Sequence, residues 1–130
     1  MSSRTFHLLS CAKPHRVWGA LTCPTLSPRF LHGFSADSCW TTGAPLTYTS
    51  AAGITLGGQV LYSQPPTHLS VTIEDPSGCC TYLTWHLRAA CAGTVIRLTV
   101  EEPGGEPEDL EQLEDAWLPA LQALEDVLQG

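Results

Sequence analysis

The residues able to do chemistry in this 130-residue chain are five histidines, six cysteines and a few carboxylates, and their spacing argues against most chemistries. The histidines are His7, His15, His32, His68 and His86. His7 and His68 fall in stretches of strand character and read as surface or edge residues. His86 shares the parity of Tyr82 and Arg88 and opposes that of Trp85, which predicts a side chain facing solvent and not a buried general base. Glu74 and Asp75 lead into DPSG, Asp75 to Gly78, so a turn accounts for them better than acid–base work does. The cysteines are Cys11, Cys23, Cys39, Cys79, Cys80 and Cys91. None are spaced CxxC, and the adjacent Cys79 and Cys80 are poor partners on one tetrahedral zinc. Reduced, mostly buried thiols and no metal are expected. There is no G-x-S-x-G, no H-E-x-x-H and no Gly-rich phosphate loop. The expectation is a protein that is not an enzyme and needs no cofactor.

Charge and composition narrow the partners. Hydrophobic residues make up 43 % and charged residues 15 %, enough apolar material for one core and one domain, 1–130. All six basic residues precede position 100, where three acids stand; residues 101 to 130 carry ten acids and no base. That acidic tail repels phosphate backbones, so no nucleic acid is expected as partner. No apolar run approaches the roughly 20 residues of a membrane span. The opening MSSRTFHLLSCAKPHR has its basic residues after its short apolar patch, the wrong order for a secretory signal. A cytoplasmic location with no membrane partner is expected.

The elements that must position any site follow from periodicity. RTFHLLSC suits a first strand. PHRVWGALT, opening on Pro14, and TLSPRFLHGF, ending near Gly33, read as two short helices. SADSCWTTGAP is rich in turn residues. From Leu46 the period becomes two, with strands over Leu46–Ser50, Ile54–Ser63, Leu69–Glu74, Tyr82–Arg88 and Val95–Val100. In the second of these, Leu56, Val60 and Tyr62 share one parity. EEPGGEPED reads as a linker. Leu113, Trp117, Leu121, Leu124 and Leu128 then recur at helical spacing, with acids on the other face and Pro119 inside the pattern. The fold class expected is α+β, a curved antiparallel sheet of about six strands wrapped around the long C-terminal helix.

Three stretches resemble the helix-grip (START-like, SRPBCC) superfamily, in particular the subgroup named after the C-terminal domain of the activator of heat-shock-protein-90 ATPase. HRVWGALTCPTLSPRFLHG resembles its first helical segment. LGGQVLYSQPPTHLSVTIED resembles its third and fourth strands, with a G-x-V-L motif and a Pro-Pro turn. GTVIRLTVEE with AWLPALQALEDVL resembles its last strand and closing helix. The resemblance implies a cavity between sheet and helix that holds a hydrophobic or amphipathic small molecule. The residues then expected to line it are Trp40, Tyr48, Tyr62, Leu83, Trp85 and Leu98, with Trp117 and Leu121 from the helix. The same residues would otherwise simply fill the core. Pro119 is expected to bend or break the helix and widen the cavity mouth. The expected function is non-catalytic binding, which requires a pocket of roughly 300 Å³ or more. The alternative is a protein-interaction module, co-chaperone-like or a companion of a transcription regulator, with a protein partner or a homodimer.

Overall fold

The computed structural model describes residues 2–74, 80–102 and 110–129. The chain begins with β1 (Ser2–Ser10) and α1 (Pro14–Leu21), followed by a 3₁₀ turn (Ser27–Arg29). Six strands follow: β2 (Phe34–Asp37), β3 (Pro45–Ser50), β4 (Thr55–Gln64), β5 (His68–Glu74), β6 (Cys80–Ala90) and β7 (Gly93–Glu102). The last element described is α2 (Leu110–Gln129). The seven strands form one curved antiparallel sheet in the order β1-β7-β6-β5-β4-β3-β2. The first strand therefore pairs with the last. α1 and the 3₁₀ turn carry the chain from one sheet edge to the other, and β2 to β7 return as a meander.

Alternation sets the two faces of the sheet. Leu83, Trp85 and Leu87 of β6 are buried, as are Ile96, Leu98 and Val100 of β7, and their neighbours along each strand turn outward. The buried residues join Trp117, Ala120, Leu121, Leu124, Val127 and Leu128 of α2 in one core. Val17, Ala20 and Leu21 of α1 complete it. Arg16 ties the helices together: its Nε and Nη2 both donate to the carbonyl of Leu128, at 3.1 Å each. A cation there also meets the negative end of the helix dipole. At the corner after β1, buried Thr94 donates through Oγ1 to the carbonyl of Ala12 at 2.8 Å. Beside it, the backbone of Gly93 lies so close to the Ser10 carbonyl that a Cβ would overlap it.

Several expectations need correction. TLSPRFLHGF is not a helix. Only Ser27–Arg29 is 3₁₀, and the chain is already extended as β2 from Phe34. Pro24 and Pro28 each lack a donor. Ser27 turns its hydroxyl oxygen to accept from the Ala36 amide at 2.9 Å, binding the turn to β2. β2 itself was masked by turn-type residues and makes the sheet seven-stranded. Tyr62 faces outward and is 48 % exposed. The pairing of β4 with β5 shifts between Val60, opposite Val71, and Tyr62, opposite Ser70. One extra residue, Leu61, is thus inserted, and every side chain after it changes face. α2 runs through Pro119 unbroken. Pro119 and Asp115, whose carbonyl loses its helical donor, are both exposed, so water can satisfy that acceptor. The cysteines are not mostly buried: Cys11, Cys39 and Cys91 are exposed, Cys23 and Cys80 half-buried, and all five are free. The DPSG turn, Cys79 and most of the EEPGGEPED linker lie outside the described residues.

Candidate functional site

Five elements and the loop before β2 converge on an apolar cleft of about 160 Å³. Phe34 of β2, Tyr48 of β3, Leu56 of β4 and Ile73 of β5 form one wall. Leu31, the neighbouring His32 and Trp117 of α2 form the other. The inner-face parity of the strands supplies the first wall. The wide apolar stripe of α2 supplies Trp117, which is 6 % exposed.

Tyr48 is the most constrained wall residue. It is buried, and its Oη donates to the carbonyl of Thr72 at 3.0 Å. Burial pushes the phenol well above its ordinary titration range, with the nearby Cys80 thiol adding to the effect, so the hydroxyl stays protonated. The ring reaches this position because Gly58, on the paired strand, has no side chain. A Cβ there would lie 3.0 Å from Tyr48 Cε2 and would overlap the Thr72 carbonyl oxygen. Thr72 in turn accepts through Oγ1 from the amide of Gln59 at 2.9 Å, beside the bulge.

His32 stands at the mouth. Its φ of 56° is in the left-handed region, and Gly33 follows at 86°. Two successive left-handed residues swing the imidazole onto α2, where it meets Trp117 edge-on with ring centroids 5.1 Å apart. Loss of surrounding water lowers the His32 pKa from its ordinary value, so the ring is neutral at neutral pH. No motif in the sequence singles out His32. The available signal was a histidine directly before a glycine, a pair suited to left-handed backbone.

The residues expected to line a cavity divide into four groups. Tyr48 and Trp117 line the cleft. Trp40, Leu83 and Trp85, again with Tyr48, surround a void of only about 20 Å³ beneath it, smaller than a ligand ring. Leu98 and Leu121 are buried among core side chains. Tyr62 is on the other face, its Oη donating to Gln64 Oε1 at 2.9 Å. The cleft is therefore about half the expected 300 Å³. Two other hollows are less suited to an apolar molecule. One of about 230 Å³ is lined by Arg16, Gly19 and the end of α2. Another, of about 310 Å³, is a shallow groove along Pro119 and Arg29. No group of three or more metal-ligating side chains comes together among the described residues. No helix is long and apolar enough to cross a membrane among those residues.

A curved antiparallel sheet gripping a long C-terminal helix, with an apolar cleft between them, defines a helix-grip protein of the SRPBCC type. The chain belongs to the family described as Activator of Hsp90 ATPase homolog 1-like protein, whose model matches residues 11–129. Members of that fold family are commonly ligand-binding or interaction modules, and some are polyketide cyclases. Among solved structures the chain is similar to protein MLL2253 from Mesorhizobium loti, at 22 % identity and a TM-score of 0.82 over 98 % of this chain and 97 % of that one. It is similar to CV1439 from Chromobacterium violaceum, at 20 % identity and a TM-score of 0.75 over 98 % and 97 % of the two chains. It also resembles DynU16, a protein from the dynemicin biosynthetic locus, at 20 % identity and a TM-score of 0.82, over 99 % of this chain and 48 % of that one. These likenesses establish the fold. No curated protein matches the chain.

Proposed function

We propose that the protein binds a small apolar molecule, without transforming it, in the cleft between β2–β5 and α2. The observation that carries this reading is the wall: Leu31, Phe34, Leu56, Ile73 and Trp117 all present apolar side chains to one hollow. Of the two remaining lining residues, Tyr48 has its hydroxyl committed to Thr72, and His32 has no nucleophile or carboxylate beside it in the cleft among the described residues. That inventory supports binding over catalysis.

Size sets the ligand class. Drug-sized ligands occupy about 300–1,000 Å³. An apolar cavity of about 150 Å³ accommodates a benzene ring. The cleft, at about 160 Å³, therefore suits one ring or a short acyl chain. Burying about 200 Å² of such a ring at ~25 cal/mol per Å² contributes ~5 kcal/mol before binding costs, which bounds the dissociation constant at ~0.2 mM, so a value near ~1 mM or weaker is expected. The test is a toluene titration of ¹⁵N-labelled protein, following the Trp117 indole N–H. A saturable shift that disappears in Leu56→Trp, which fills the cleft from a half-buried strand position, supports the reading. Absence of saturation, or an unchanged response in Leu56→Trp, overturns it.

A further inference from the structure

Among the described lining residues, and apart from the Trp117 indole N–H, which can only donate, the cleft has one side chain able both to donate to and to accept from a ligand, His32. Tyr48 Oη is already engaged with the Thr72 carbonyl. The His32 imidazole touches Trp117 through its ring and carries no hydrogen bond to a described residue. No Lys or Arg lines the cleft, and the chain as a whole has a net charge of −7. A carboxylate entering this hollow would lose its water against an apolar wall with no cation to replace it. A neutral hydroxyl loses much less and can exchange a hydrogen bond with a neutral imidazole, which has one donor and one acceptor nitrogen. The aromatic wall of Phe34, Tyr48 and Trp117 favours a ring over a flexible chain, since rings pack on one another edge-on or offset.

We infer that the cleft selects a neutral single-ring molecule bearing a hydroxyl, a phenol in chemical class, and that His32 is the residue that reads the hydroxyl. This rests on the cleft being a ligand site. The backbone gives the site its direction: residues other than glycine pay for a positive φ, and at 56° His32 is held facing Trp117.

The test compares p-cresol, toluene and 4-methylbenzoate by titration of the wild-type protein and of His32→Gly at neutral pH, with the Trp117 indole N–H as the probe. Glycine adopts the left-handed backbone freely, so the variant removes the imidazole without a backbone penalty. One net hydrogen bond corresponds to about a 3- to 10-fold gain. p-Cresol is therefore expected to bind about 3- to 10-fold tighter than toluene, and 4-methylbenzoate not to saturate. In His32→Gly, which also removes part of the wall, both affinities can fall, but the ratio of p-cresol to toluene affinity is expected to drop to about one. Equal binding of p-cresol and toluene, a p-cresol advantage that survives His32→Gly, or preference for 4-methylbenzoate overturns the role of His32 and leaves the cleft as a ligand site. If no compound saturates, both the inference and the binding reading fall.

Discussion

Gly58→Ala is the substitution whose cost the geometry defines most sharply. The added methyl would overlap the Thr72 carbonyl oxygen, which is backbone of β5, and would stand 3.0 Å from Tyr48 Cε2. Neither neighbour can yield cheaply. Overpacking a well-filled site costs about 1–3 kcal/mol. Moving Tyr48 aside also breaks its bond to Thr72, and a buried polar group left unpaired costs a further ~1–3 kcal/mol. Because one movement partly relieves both terms, a total near ~2–4 kcal/mol is expected. At about 4 °C per kcal/mol for a domain of this size, the midpoint of thermal unfolding should fall by ~8–16 °C. The adjacent Gly57→Ala is a matched control, since a Cβ there meets nothing within 4 Å. It should be neutral or slightly stabilising, because alanine restricts the unfolded chain. Thermal melts of both variants and of Tyr48→Phe, followed by circular dichroism, test the argument. If Gly58→Ala costs less than about 4 °C, or if both glycine variants lose stability equally, the account of how Tyr48 is held is wrong.

Two further predictions concern the frame around the cleft. Arg16→Gln removes the forked donor to the Leu128 carbonyl and should cost about 1–2 kcal/mol in urea unfolding, with faster amide exchange confined to the last turn of α2; no change in exchange there would refute the tether. On the outer sheet face His86 lies directly opposite His68, with ring centroids 4.3 Å apart. Burial lowers the His86 pKa, and His68, Arg97 and Arg88 lower it further by repulsion. The unfolded chain therefore takes up the proton first as pH falls through the ordinary value near 6.5, and stability should drop below that pH until the folded-state group also titrates. Thermal melts between pH 8 and 5 should show this loss reduced in His86→Gln; an equal loss in the variant would assign the effect elsewhere.

What was legible in the sequence is what depends on neighbours along the chain. Alternation in Leu83-Thr84-Trp85-His86-Leu87 and in Ile96-Arg97-Leu98 encodes which face of a strand is buried, and the structure keeps both patterns. The apolar spacing of Trp117, Leu121, Leu124 and Leu128 likewise encodes the buried stripe of α2. The bulge at Leu61 is a different kind of information. Nothing in QVLYSQ marks one residue as extra, because the insertion exists only relative to β5. Its effect on the site is large: parity counted from Leu56 and Val60 brings Tyr62 into the cavity, whereas the extra residue takes it to the opposite face. The cleft volume is less local still. Phe34, Leu56, Ile73 and Trp117 come from four elements, and the gap between them depends on how far α2 stands from the strands. The 3₁₀ turn, bound to β2 through the Ser27–Ala36 bond, leads into the cleft wall at a place where the sequence suggests a helix. The left-handed backbone of His32 then decides what the mouth of the cleft presents. Strand parity thus supplies an apolar wall without its depth, and pairing and packing between distant elements set that depth at a single ring.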